Sequence, residues 1–368
     1  MRIAYDPQIF SAQKYGGISR YICEIASRIA KESNVQISII APMYINAYLE
    51  QLPSKLVSGF QAFNAYHLQM LQRGLSMVVG DIMLRVARPN IVHETYYSPY
   101  RLGPRSARRV LTIHDMINEK FGSHSSLAER TTRYKALAAE RADHVIFVSK
   151  STQRDAIDIL GLSPEKTSVI YHGFDLIGID KGRTEDLTLP TSNPFLLYVG
   201  NRGGYKNFSG LLQAYASSQQ LRVRYDLVCF GGGGLTAGEQ TTIQKLGLHR
   251  NKVIQLAGND HMLAKLYDSA SAFIYPSLYE GFGIPPLEAM AHDCPVICSN
   301  TSSIPEVVGD AGEYFEPNDI DSMRTSIERV VGDIDYRTRL IEKGRARLNY
   351  FSWDRCALET FNVYMRLT

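Results

Sequence analysis

Short apolar runs alternate with amphipathic stretches along almost the whole chain. In the first half the runs fall at residues 2–5, 35–41, 90–94, 110–114, 144–148 and 167–171, each short enough for a buried strand. Between them Ile18, Ile22, Ile25 and Ile29 share one helical face, as do Leu127, Tyr134, Leu137 and Ala138. This βαβ rhythm predicts a parallel, doubly wound sheet with helices on both faces. Residues 173–193 interrupt it, with Gly173, Gly178, Gly182, Pro190 and Asn193 set among charges, and read as a linker. The rhythm restarts at 195–199, 225–230, 252–256, 272–275, 295–298 and 313–315. After Pro317 the pattern is helical near 318–331, 334–349 and 353–366, and no repeat of solenoid period is present. The expectation is two Rossmann-like α/β domains, 1–175 and 194–350, joined by a linker at 176–193. Their parallel sheets face across a cleft, and a last helix at 351–368 is placed to cross back to the first domain. Ligands in such folds sit at the carboxyl ends of the strands.

Segment 60–88 fits this scheme less simply. Phe60, Phe63, Tyr66, Leu68, Met70, Leu71, Met77, Val78 and Val79 are mixed there with Arg73, Arg85 and Arg88. One reading is a pair of helices packed on the first sheet; the other is a helix that touches a membrane or a lipid-linked substrate.

Composition narrows the class. Among 368 residues, 45% are apolar and 21% charged, enough to bury two cores and too apolar for disorder or a coiled coil. No apolar run reaches the roughly 18 residues of a spanning helix. The N-terminus runs straight into a strand pattern without a signal-peptide core, so a cytoplasmic chain is expected. Residues 1–180 carry 21 Lys and Arg against 16 Asp and Glu, and the remainder 19 against 21. The basic first half suits peripheral contact with the inner face of a membrane; nothing points to nucleic acid. Cys23, Cys229, Cys294, Cys298 and Cys356 are scattered and odd in number, which fits a reducing compartment. Cys294 and Cys298 read as buried strand residues, not as a metal site.

The strongest chemical signal is the run from Pro276 to Met290. It leaves the strand at 272–275, turns through Glu280-Gly281-Phe282-Gly283, and enters a helix near Pro285, with Glu288 about one turn in. Gly281 and Gly283 let backbone N–H groups approach a ligand beside a positive helix end. Glu280 and Glu288 can each accept a pair of hydrogen bonds, as the vicinal hydroxyls of sugars offer. A second Gly-rich turn, Val199-Gly200-Asn201-Arg202-Gly203-Gly204-Tyr205-Lys206, also follows a strand, and its Arg and Lys can cradle a diphosphate.

With these residues the sequence resembles the retaining GT-B glycosyltransferases of the family 4 type. The shared features are the E-x7-E element Glu280–Glu288, the Arg202/Lys206 turn and Gly16-Gly17 before a helix. Thr112-Ile113-His114-Asp115, Val148-Ser149-Lys150-Ser151 and Tyr171-His172-Gly173-Phe174-Asp175 complete the likeness, which spans residues 1 to about 310. The resemblance implies that Arg202 and Lys206 hold the donor diphosphate and that Glu288 accepts from the ribose. It implies that Glu280, with the backbone of Gly281, Phe282 and Gly283, holds the transferred sugar. His114 would face that sugar, Gly17 would lie by the diphosphate, and the base would pack near Ala257-Gly258-Asn259. Gly16 would lie near the acceptor as well. Apart from the resemblance, His93-Glu94-Thr95-Tyr96-Tyr97 ends a strand on the cleft side, where His93, Tyr96 and Tyr97 either help form the acceptor site or pack as an aromatic loop. Asp115 reads as fixing its turn.

The motifs most resemble those of bacterial mannosyltransferases that use GDP-mannose to build surface polysaccharide such as O-antigen. Other GDP- or UDP-sugars and a GT-B sugar-nucleotide epimerase remain as alternatives, and a non-catalytic sugar-nucleotide sensor is a third. No cofactor is implied beyond the donor, and the acceptor would be a saccharide or a lipid-linked saccharide. Asp319-Ile320-Asp321 and Asp333-Ile334-Asp335 stand at helix starts and read as caps, so no metal is called for. The G-x-G-x-x-A string Gly232, Gly234, Ala237 follows the second strand of its domain and lacks an acid near 252–258, unlike a dinucleotide fingerprint.

Overall fold

A computed structural model describes residues 1–62, 68–122, 125–176 and 188–368. The chain divides into two compact units, Met1–Gly173 with Ser352–Thr368, and Phe174–Phe351. Among the described residues the first holds seven strands: β1 (Arg2–Tyr5), β2 (Gln36–Tyr44), β3 (Val57–Gln61), β4 (Ile91–Glu94), β5 (Arg108–Ile113), β6 (His144–Phe147) and β7 (Thr167–Val169). They pair in the order β3-β2-β1-β4-β5-β6-β7, all parallel.

Six of these strands sit where the apolar runs stand. The seventh, β3, carries no such run. It is an edge strand, mostly exposed, and joins β2 across a register shift between Ile40 and Met43. Gly59 permits this: at φ +154° a Cβ there would stand 1.7 Å from the Ala41 carbonyl oxygen. The strand also overturns the helix pair expected over 60–88, because among the described residues one α-helix, Gln69–Ala87, follows it. Phe63 and Tyr66 lie outside the described residues. That helix buries only Ser76, Gly80 and Leu84. Its small residues let it lie close to Pro7, which a Cβ on Gly80 would meet at 2.6 Å.

At the carboxyl end of β1, buried Asp6 ties that strand to β4. Thr95 donates to it through its N–H at 3.0 Å and its hydroxyl at 2.6 Å, and Gln8 Nε2 at 2.6 Å. The helix Gly17–Ile29 buries Ile22, Ile25 and Ile29 against the sheet. The C-terminal helix Trp353–Leu367 belongs to this same unit and packs on Gly17–Ile29. It enters across Gly173, whose hydrogens leave room for the Trp353 backbone.

The second unit holds β8 (Phe195–Val199), β9 (Asp226–Phe230), β10 (Val253–Leu256), β11 (Ala272–Tyr275), β12 (Val296–Ser299) and β13 (Gly312–Phe315). They are again parallel, in the order β10-β9-β8-β11-β12-β13. Leu196, Tyr198, Leu227, Ile274 and Ile297 project into one core beneath the helices Phe208–Ser217 and Ile320–Gly332. Asp319 and Asp333 cap the helices Ile320–Gly332 and Ile334–Leu348, accepting from Ser322 N and Tyr336 N. All five cysteines are buried and unbridged. Among the described residues no helix is long and apolar enough to cross a membrane.

Each sheet has one place where strand order reverses direction, between β1 and β4 in the first unit and between β8 and β11 in the second. Loops leaving two such strands turn to opposite faces and open a crevice at their carboxyl ends. The residues with candidate chemistry cluster there.

Candidate active site

In the second unit the turn after β8 and the turn after β11 bring Lys206 and Glu280 together. Lys206 Nζ donates to Glu280 Oε1 at 2.7 Å, and both side chains are largely buried. The ammonium also lies 5.2 Å from the Tyr205 ring centre and 5.7 Å from that of Tyr275. Tyr275 hydrogen-bonds Glu280, and burial together with the adjacent carboxylate drives its phenol far above the usual range. A cation and a carboxylate thus share one partly wet corner of the switch-point crevice.

The loop that carries Glu280 is held from behind by residues sequence reading passed over. Ser302 Oγ accepts from Glu280 N at 2.9 Å, while Ser303 Oγ donates to the carbonyls of Glu280 at 2.9 Å and Phe282 at 3.0 Å. The signal was available as the hydroxyl run Thr301-Ser302-Ser303 after an apolar strand. Phe282 is buried edge-on against Phe351. Gly283 adopts φ +99° and opens the helix Ile284–Ala291, which has no side-chain cap. Pro285 and Pro286 carry no N–H, so this helix start offers the N–H groups of Gly283 and Ile284 to whatever lies in front of the loop. Glu288, one turn in, accepts at 3.4 Å from the buried hydroxyl of Tyr267. Gly258 stands beside Met262 and Phe230 at the end of β10, just before the helix Asp260–Ser269.

Arg202 departs from the expected arrangement. Its side chain is only 2% exposed and its donors are spent inside the protein. Nε donates to Glu239 at 2.8 Å, Nη1 to the Gly231 carbonyl at 2.8 Å, and Nη2 to those of Gly233 at 2.9 Å and Gly234 at 2.8 Å. Glu239 is fixed in turn by a capping box with Thr236. Arg202 therefore fastens the glycine turn after β9, and Lys206 is the cation of the two that stands with Glu280. The loss of water at Arg202 is repaid by five internal acceptors, the Gly232 carbonyl at 3.3 Å among them, an arrangement that suits a planar fork and not an ammonium.

In the first unit His114 directly follows β5 and sits among aromatic rings. It stacks on His172 at 5.5 Å and meets Tyr21 edge-on at 5.1 Å. Burial, with His172, His93 and Lys135 adding repulsion, holds its imidazole well below the ordinary histidine range. It is a neutral hydrogen-bonding group at neutral pH. Asp115 accepts from Ile117 N at 3.1 Å and fixes the turn. Gly16 caps the helix Gly17–Ile29 without a side chain, and a Cβ on Gly17 would meet no atom within 4 Å.

His93 is corrected by the structure. It is fully buried, with Nδ1 bonded to Tyr364 Oη at 2.5 Å and Nε2 to Thr112 Oγ1 at 2.9 Å. It joins two strands to the C-terminal helix and shows no face to an acceptor. Tyr96 and Tyr97 do reach a cleft, of about 780 Å³, at the β1/β4 switch point of this unit. Their rings lie 4.6 Å apart, and a hydrogen bond joins the Tyr97 hydroxyl to the His114 backbone.

Comparison with known proteins places this geometry. Residues 15–177 match the family model described as glycosyltransferase family 4, and residues 183–347 the model described as glycosyl transferases group 1. The chain is 29% identical to O-antigen chain mannosyltransferase B of Escherichia coli over 95% of its own length and 96% of that protein's. Among solved structures, it superimposes on sucrose-phosphate synthase from Thermosynechococcus elongatus with a TM-score of 0.77 at 20% identity. That match covers 100% of this chain and 98% of the other. Anabaena HepE, solved with UDP and glucose, gives a TM-score of 0.72 at 19% identity, with 100% of both chains covered. Two parallel-sheet units with these neighbours have the GT-B architecture, and the chain belongs to the family 4 and group 1 glycosyltransferases.

Proposed function

We propose that the protein moves an α-mannosyl group from GDP-mannose to a saccharide or lipid-linked saccharide acceptor, with retention and without a metal ion. The observation that carries this reading is the Lys206–Glu280 pair in the β8/β11 crevice. Cleaving a glycosyl–phosphate bond builds negative charge on the departing diphosphate. Lys206 and the uncapped start of the helix Ile284–Ala291 are fixed positive partners for that charge as it grows. Glu280, freed from Lys206 when the diphosphate takes the ammonium, accepts from hydroxyls of the sugar, and Glu288 accepts from the ribose. The glycine turn fastened by Arg202 walls the crevice beside them.

In the complex Glu280 keeps the Tyr275 phenol and gains the sugar hydroxyls as donors, and a carboxylate engaged by several donors is a poor nucleophile, which favours front-face attack over a covalent glycosyl-enzyme. In that route the acceptor oxygen bonds to the anomeric carbon on the side the diphosphate leaves, and the departing phosphate oxygen takes the acceptor's proton. The resemblance assigns His114 to the donor sugar. Its depressed pKa makes it a hydrogen-bonding imidazole and not a proton donor. The mannosyl assignment draws support from the Escherichia coli mannosyltransferase, which aligns along nearly the whole chain, and the GDP assignment from the motif resemblance alone.

A panel of GDP-, UDP- and ADP-sugars tests the donor by thermal shift in excess EDTA. A ligand at a hundred times its Kd adds about 2.7 kcal/mol to the unit that binds it. GDP-mannose should therefore raise the melting temperature by roughly 5–10 °C, more than any other donor. A larger shift from a UDP-sugar, or a shift that requires Mg²⁺ or Mn²⁺, would overturn the donor or the metal assignment respectively.

A further inference from the structure

Among the described residues, the helix Gln69–Ala87 leaves a large apolar face without a partner inside its own unit. Met70, Leu71, Leu75, Val78, Ile82 and Val86 are between 46% and 79% exposed. The core side of the same helix is taken by Ser76, Gly80 and Leu84, so rolling the helix would not bury the outer row. A single protein rarely leaves so many neighbouring large apolar side chains in water. The row continues into the cleft at the β1/β4 switch point, where Val78 and Ile82 face Tyr96, Tyr100 and Leu102.

Charge decides what kind of molecule suits this cleft. Arg73, Arg101 and Arg130 line it against one carboxylate, that of Asp81. Asp81 is already engaged by the Gly103 N–H at 2.6 Å and by Arg85 at 2.8 Å. Arg73 donates to the carbonyls of Ser11 at 3.2 Å and Ala12 at 3.1 Å, which pins a guanidinium beside the loop leaving β1. An apolar trough ringed by guanidinium groups is complementary to a hydrocarbon chain that ends in a phosphate. A bare sugar would leave the trough wet, and a neutral lipid would leave the cations unmatched.

We infer that this cleft holds the anchor of a lipid-linked acceptor, a hydrocarbon chain carrying a phosphate or diphosphate. The inference rests on the glycosyl-transfer reading and narrows its acceptor to the lipid-linked class. Val78, Ile82 and Tyr100 take the chain, Arg130 and Arg101 the phosphate, and the rest of the helix face lies along the bilayer that carries the lipid.

Farnesyl phosphate is a short soluble probe with both features. Inorganic phosphate and farnesol each keep one. Calorimetric titration into the full chain should find farnesyl phosphate binding at least thirtyfold tighter than either control. Val78→Glu and Ile82→Glu should each weaken it at least tenfold, and Arg130→Glu should remove its advantage over farnesol. GDP titration of every protein keeps two failures apart. Loss of GDP binding in the wild type would strike the donor reading, whereas intact GDP binding with no preference for farnesyl phosphate overturns the acceptor inference. Sedimentation of the wild type supplies a further arm. A dimer abolished by Ile82→Glu would show that a second copy covers the face, and would also overturn it.

Discussion

Glu280→Ala should cut turnover by two to three orders of magnitude while leaving affinity for GDP unchanged or slightly improved. The rate loss follows from placing the carboxylate on the transferred sugar, which flattens and gains positive charge as its bond to phosphate breaks. A group that meets charge developing only in the transition state lowers the barrier without tightening the ground state, and removing one such contact costs about 10²–10³ in rate. The gain in GDP affinity follows from the resting ion pair. Glu280 competes with an incoming diphosphate for Lys206, only 2.7 Å away, and its removal ends that competition. Glu288→Ala should behave in the opposite way. The ribose does not react, so its contacts are alike in ground and transition states. Their loss should weaken GDP and GDP-mannose together by roughly 1.5–3 kcal/mol, the range for hydrogen bonds to a charged group. Calorimetry with GDP beside initial rates separates the two. If Glu280→Ala loses the bare nucleotide while Glu288→Ala keeps it, the assignments are reversed.

The first unit should lose stability steeply as pH falls from 7 to 5. Burial depresses His93 and His172 to about 3 and His114 well below its ordinary value. In the unfolded chain these imidazoles titrate near 6.5. The stability tied to their neutral forms is complete above about pH 6.5. It is lost as pH falls from there toward 3, where the unfolded state binds protons that the folded state refuses. Each group can contribute roughly 2 kcal/mol of loss between pH 7 and 5. Asp6 and Glu94 act in the opposite sense, since burial raises both carboxyls and lets the folded state take up protons early. The net loss is therefore smaller than the three histidines' sum. The chain has a single tryptophan, Trp353, buried in this unit beside His172 at 5.6 Å, so its fluorescence reports the unit's unfolding without interference from the other. The urea midpoint followed by Trp353 should drop clearly at pH 5, and less in His93→Gln. Equal midpoints at pH 7 and 5 would contradict the buried, neutral histidines.

Much of this molecule is legible in its sequence because parallel strands buried on both faces leave continuous apolar runs. Every such run became a strand, and the Gly-Phe-Gly turn stands between a strand and a helix as its residue types require. β3 escaped because an exposed edge strand needs no apolar run. The register shift that admits it depends on a glycine whose role appears only beside Ala41. The row over 69–87 was visible as apolar, but whether it faces a core depends on which small residues touch Pro7 and β2. Arg202 shows a different limit. A guanidinium in a Gly-rich turn reads as a ligand for phosphate, and only the fold reveals five carbonyl and carboxylate acceptors already in place. His93 likewise gave no sign that Thr112 and Tyr364, the latter 271 residues away, would claim both ring nitrogens.

The central claim is that the β8/β11 crevice binds a nucleoside diphosphate through Lys206, and calorimetric titration of GDP in excess EDTA tests it most directly. The wild type should bind one GDP per chain with no metal present. Lys206→Met, which keeps the stem over Tyr275 and removes the charge, should weaken that binding by about 1.5–3 kcal/mol, or roughly ten- to hundredfold. Absence of GDP binding in the wild type, or equal affinity in Lys206→Met, would contradict the account.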